Sequence, residues 1–249
     1  MMYLNEPRLG DIVKRQFRFK LNAHTAAFTT FVLLQIGALF LAFSSSKITW
    51  PNSLANVTLF NLSNDVNVGL SLIWAFVLGI MLTTSVRRNE SFSFVTTRLS
   101  NQLANFLFML TASLFTGLIT ALTGPVLKLI GILRYGDMVI YTPGIIEAPT
   151  DFFMRIITAV AYILLLFLIG YTISSLVQLN KLFIGFFIAL YIASSIVTSS
   201  WDGTQYAITI INFFSNEHFL PFFLLKICGT VLGLFAVSAL VTNRLEVRN

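Results

Sequence analysis

Few side chains in this sequence could do chemistry. His24 and His218 are its two histidines, Cys228 is its one cysteine, and only 10 of its 249 residues are acidic. A zinc hydrolase needs paired histidines with a glutamate on one helix face, and no such group occurs. No G-x-x-x-x-G-K-[ST] run occurs either, so the chain has no loop of that kind to cradle a nucleotide. Cys228 sits in an apolar run with no second cysteine to pair with, and reads as a small hydrophobe. One stretch stands apart. Residues 86–106, VRRNESFSFVTTRLSNQLANF, place three arginines, a glutamate and two closely spaced phenylalanines between long apolar runs. These residue types suit docking. Arginine and glutamate pair with charges in a partner's cleft, and phenylalanine fills its pockets.

The elements around that stretch are set by composition. Hydrophobic residues make up 56% of the chain and charged residues 10%, against about 25% charged in soluble domains. Mean hydropathy is +0.83. A bilayer core of about 30 Å needs about 20 apolar residues of helix. Stretches free of Asp, Glu, Lys and Arg run over 21–46, 66–86, 99–127, 156–180, 182–201 and 227–243. The last reaches spanning length if Lys226 extends its ammonium toward the interface. The reading is an all-α polytopic membrane protein with six transmembrane helices, at about 25–44, 66–86, 102–123, 156–177, 182–199 and 221–242. A cleaved signal peptide is disfavoured, because its apolar core would be only about 7–15 residues long.

Basic residues vote on orientation. With the N-terminus inside, the inner segments carry Arg8, Lys14, Arg15, Arg18, Lys20, Arg87, Arg88, Arg98, Lys181, Arg244 and Arg248. The outer segments carry only Lys47, Lys128, Arg134 and Arg155. That asymmetry places both termini in the cytoplasm of a plasma-membrane protein. The net charge of +6 is thereby accounted for by topology, and nucleic acid is not an expected partner.

Between the spans, residues 1–24 read as a cytoplasmic amphipathic helix. Leu9, Ile12, Val13, Phe17 and Leu21 recur at helical spacing while Arg8, Lys14, Arg15 and Arg18 take other faces, toward anionic lipid headgroups. Residues 25–249 form the transmembrane domain. The outer segment 45–65 reads as a short Asn- and Ser-rich loop. GPVLKLIGILRYGD, residues 124–137, is apolar enough for a short interfacial helix extending the third span. In 200–220, Tyr206, Ile210, Phe213 and Phe214 fit either two short helices dipping back into the outer leaflet or an interfacial loop. In the 86–106 stretch, Phe92, Val95, Leu99 and Leu103 lie at roughly helical spacing, with Phe94 nearby, and Arg88, Glu90, Arg98 and Asn101 face elsewhere. No span carries an ionisable group at mid-depth, where an ion-coupled transporter usually keeps one. Any work done by the chain must then come from another protein.

Six spans, a basic amphipathic N-terminal helix and RRNESFSFVTTRLSNQLANF between spans two and three together resemble the permease subunits of ABC-2 type exporters, in the small single-domain form common in Gram-positive bacteria. The resemblance implies a coupling helix in that segment, docking on a separate ATPase subunit through Arg88, Glu90, Phe92, Phe94, Arg98 and Leu99. The family's usual proline is replaced here by Val95 or Thr96. The resemblance also implies a re-entrant hairpin between spans five and six, ATP and magnesium on the partner ATPase, no catalysis by this chain, and a second permease copy or sister permease. The expected cargo is amphipathic or hydrophobic: a peptide, an antimicrobial or a lipid-like compound. The competing expectation is a non-transporting membrane immunity or scaffold protein that binds a partner within the bilayer.

Overall fold

The computed structural model describes residues 9–44, 47–52, 55–83, 98–136, 139–140, 148–199, 209, 212–213 and 219–245. Among the described residues, seven long helices run in chain order: α1 (Leu9–Ala23), α2 (Thr25–Ser44), α3 (Asp65–Leu82), α4 (Arg98–Tyr135), α5 (Pro149–Leu179), α6 (Leu182–Ser199) and α7 (Leu220–Leu245). Five of them, α2, α3, α4, α5 and α7, are long and apolar enough to cross a membrane. Leu33, Phe40, Ile73, Leu129, Phe153, Leu225 and Leu240 are exposed along them, an outward apolar surface that suits lipid rather than water. The chain is thus built as a polytopic α-helical membrane protein. α6 has the bounds expected for the fifth span, with a shorter apolar stretch over Leu182–Ser195.

Three boundaries differ from expectation. α4 does not stop near 123. It continues through Pro125 to Tyr135, 38 residues in all, about 57 Å at 1.5 Å per residue. Pro125 removes one backbone donor without ending the helix, and Gly136, at φ 61°, supplies the left-handed residue that does end it. α5 begins at Pro149 rather than 156, with proline in the first turn, where its missing N–H costs nothing. The segment 45–65 is more than a loop. β1 (Lys47–Asn52) and β2 (Ala55–Asn61) pair antiparallel, Thr49 opposite Thr58, and β3 (Val139–Ile140) adds a parallel strand beside Phe60 and Asn61. Each strand is short, and the only alternation of apolar and polar residues is brief, so this small sheet left little trace in the sequence.

The core forms around α5. Phe31, Trp74, Leu78, Phe108, Phe167, Leu168, Tyr171 and Ile227 pack into one buried cluster drawn from α2, α3, α4, α5 and α7. α3 and α5 approach backbone to backbone. A Cβ on Gly79 would strike the Phe167 carbonyl, and one on Gly170 would strike the Phe76 carbonyl. Small residues allow such contact where no hydrophobic force draws helices together in lipid.

Candidate functional site

α1 is amphipathic as its spacing predicts, but its packed face rests on protein. Val13 is buried, and Phe17 and Leu21 pack against the main core. Lys14, Arg15 and Arg18 are exposed, as an interfacial helix requires, and so are Leu9 and Phe19. The same packed face also carries Gln16, Lys20 and the junction residue His24, all buried. Gln16 finds no hydrogen-bond partner for either amide atom among the described residues. His24 separates α1 from α2. Its Nδ1 lies 2.8 Å from the Lys20 carbonyl, and its ring sits 4.9 Å from Phe108.

Lys20 is the centre of a polar chain. Its Nζ donates to Asn101 Oδ1 at 2.8 Å and also to Asn105 Oδ1. Asn105 Nδ2 in turn donates to the Tyr171 hydroxyl at 3.0 Å. Three helices, α1, α4 and α5, are thereby joined within the first two turns of α4. Gln102 Nε2 adds a bond to the Ala239 carbonyl of α7 at 3.2 Å. Two asparagines one turn apart face the ammonium with carbonyl oxygens, and no carboxylate is present in the chain of bonds. Burial pulls the Lys20 pKa from its ordinary 10.5 down to about 8.

The end of α3 is fastened nearby. Thr83 Oγ1 donates to Ser174 Oγ, and Gln178 Nε2 donates to the Thr83 carbonyl. Tyr171, Ser174 and Gln178 occupy about two turns of α5. Both roots of the segment 84–97 are therefore tied to one short stretch of one helix: Thr83 before it, and Asn105 after it.

A second polar cluster lies toward the other end of the same helices. Gln35 Nε2 donates to Ser71 Oγ at 2.7 Å and to the Asn67 carbonyl at 3.2 Å. The Ser71 and Thr120 hydroxyls lie 2.6 Å apart, one donating to the other. Asn64 joins α3 to α4 by donating to the Thr120 carbonyl at 3.0 Å and accepting from Thr123 Oγ1 at 2.9 Å. This cluster holds no charged group. Gln35 Oε1 and Asn67 Oδ1 accept no hydrogen bond within it.

Of the residues expected to dock an ATPase, Arg88, Glu90, Phe92 and Phe94 lie outside the described residues, as does Arg8 of the interfacial set. Arg98 opens α4, so residues 98–101 are one continuous helix with the third span. Leu99 points outward, 57% exposed. The 200–220 segment also lies mostly outside the described residues. Lys226 turns back toward it, donating to the Phe213 carbonyl at 3.3 Å with its ammonium 4.2 Å from the Phe213 ring centre. This is the direction expected of a snorkelling lysine. Among the described residues no group of three His, Cys, Asp or Glu could hold a metal ion.

Sequence reasoning counted Lys20 only as a base that sets topology and Asn101 only as a polar-face residue, and passed over Asn105 and Tyr171. A signal was present: Lys20 is three residues after Phe17 and seven after Val13, on the apolar face of α1 rather than among the exposed bases. No family model, curated protein or solved structure matches the chain.

Proposed function

We propose that this chain is the transmembrane permease subunit of an ABC-2 type exporter, with six spans and both termini cytoplasmic. A separate ATPase subunit, which holds ATP and magnesium, drives it. A second copy or a sister permease completes the translocation path, and the cargo is an amphipathic or hydrophobic peptide, antimicrobial or lipid-like compound.

The observation that carries this reading is the double anchoring of residues 84–97. A partner pushing on Arg88, Glu90, Phe92 and Phe94 would act on a segment whose flanking residues Thr83 and Asn105 are bonded to Tyr171, Ser174 and Gln178 of α5. Through Asn101, Asn105 and Lys20 the same push reaches α1. Such a connection turns a surface contact into movement of packed helices, the kind of rigid-element coupling that a subunit without its own fuel site needs. α6, with Leu182, Ile184, Phe186, Ile188 and Ile192 exposed, supports the second-copy arm by leaving a helix available to pack on another permease.

The test is co-purification from mild detergent. The tagged chain should bring down a protein with a Walker A motif. Arg88→Glu combined with Phe92→Ala should remove that protein while the chain still elutes as the same detergent-solubilised species. Unchanged association of the ATPase with the double variant, or no such ATPase among the partners of the native chain, would sink the reading. The second outcome would favour the immunity or scaffold alternative.

A further inference from the structure

An apolar groove of about 680 Å³ runs between α2 and α3, remote in role from the polar chain at Lys20. Its walls are Ala27, Thr30 and Leu34 from α2 and Leu70, Trp74 and Met81 from α3. It starts at Ala23 and His24, where α1 passes into α2, and ends at Leu34. Along α3, eleven helical steps lead from Leu70 to Met81, so the groove is about 16 Å long. Half of a hydrocarbon core of about 30 Å is about 15 Å. The groove thus has the length of one leaflet, measured from the side on which α1 lies.

From this geometry we infer that the groove is a binding site for one acyl chain of an anionic phospholipid from that leaflet. Three features select this occupant. The hollow is preformed, because Trp74 at its base is held by Phe31 and Phe28, with ring centres 4.8 and 6.3 Å away, and Leu78 is fully packed. Its walls are mostly hydrocarbon and extend about as far as one leaflet, which fits a lipid tail. Its mouth includes Ala23, the last residue of the helix that carries the exposed Arg15 and Arg18, which lie about 12 and about 8 Å from Ala23 along that helix. A phosphate there gains cationic neighbours that a zwitterionic headgroup exploits less. The site concerns lipid retention and is independent of any ATPase.

Trp74 reports on the groove. With Trp50→Phe and Trp201→Phe, Trp74 is the remaining tryptophan, and its fluorescence is measured in vesicles containing phosphatidylcholine or phosphatidylglycerol brominated in mid-chain. The expected result is at least twofold stronger quenching by the brominated phosphatidylglycerol at equal low mole fraction. That preference disappears in Arg15→Gln/Arg18→Gln, and quenching by both lipids falls in Ala27→Phe/Thr30→Phe, which fills the groove. Equal quenching by the two lipids would reduce the groove to ordinary lipid solvation and overturn the proposal. No quenching by either would mean that protein or cargo covers the groove, and would overturn it as well. A readout that needs no variant is native mass spectrometry of the full chain extracted from an equimolar mixture of the two lipids. Retained phosphatidylglycerol in excess supports the site, and equal retention opposes it.

Discussion

Two polar clusters hold α4 to its neighbours, and they differ in one respect that matters. Near its start, Asn101 and Asn105 bind a buried ammonium from α1 and a tyrosine from α5. Farther along, Thr120 and Thr123 bind Asn64 and Ser71, with Gln35 behind them, all neutral. Neutral side chains that bond across helices act as modest glue, each worth about 0.6 kcal/mol on average in a membrane. A buried charge is different. It costs several kcal/mol to desolvate and depends on every acceptor that faces it. The neutral cluster can hold α2, α3 and α4 together permanently. The charged one is costly enough to come apart.

Changing pH should separate the two most strongly. Lys20 has a depressed pKa, about 8 when docked against an ordinary 10.5 when α1 is detached. Below pH 8 both states carry the proton, and docking of α1 does not vary with pH on this account. Between pH 8 and 10.5 the detached state binds more protons, so docking strengthens as pH rises. The gain approaches about 3 kcal/mol, at roughly 1.4 kcal/mol per unit over the interval. Hydrogen exchange of α1 amides, corrected for the intrinsic dependence on pH, should slow across this window in the native chain. Lys20→Met should flatten that response. A native chain whose corrected exchange is flat between pH 8 and 10 would show that Lys20 is not buried as a charge.

Removing one acceptor is the next largest perturbation. Asn105→Leu leaves the ammonium with Asn101 and takes the donor from Tyr171. A hydrogen bond to a charged group is worth about 2 kcal/mol, so a lowered melting temperature in detergent is expected at pH 7. Adding Lys20→Met to Asn105→Leu should restore much of the loss, because an apolar pair leaves no buried charge to satisfy. Lack of rescue would mean that Asn105 matters through packing alone. The comparison would then lose its basis.

These residues also mark how far the sequence could be read. The long uncharged runs placed the apolar helices, because a span needs little more than length and the absence of charge. The exposed Lys14, Arg15 and Arg18 of α1 followed from a 3.6-residue period. The continuation of α4 to Tyr135 was only half legible: the apolar stretch over 124–137 suggested a short helix extending the span, but nothing in it showed that the helix runs on unbroken through Pro125. The strands at 47–61 were not legible, since they are short and one contains Pro51. The Lys20 chain was missed for a different reason. Its members are separated by up to 85 positions for Lys20 and Asn105, and by 66 for Asn105 and Tyr171. Only the packing of α1 on α4 reveals that the asparagines face a lysine at all.

The smallest effect is expected at the neutral cluster, and it tests the comparison from the other side. Ser71→Ala removes a hydroxyl that accepts from Gln35 at 2.7 Å and meets Thr120 at 2.6 Å. Gln35 Nε2 keeps its bond to the Asn67 carbonyl, and Thr120 keeps its own bond to the Thr116 carbonyl at 2.8 Å. The loss should be below about 1 kcal/mol, with no change in the pH response of α1 exchange. The physical reason is redundancy. A hydroxyl inside a helix reaches the second lone pair of the carbonyl one turn earlier, whereas an ammonium at the end of a four-carbon stem has three donors to satisfy and stands away from its own helix backbone. A loss at Ser71 as large as at Asn105 would mean that the open acceptors of Gln35 and Asn67 make this cluster as demanding as the charged one. The division between permanent glue and a releasable joint would then fail.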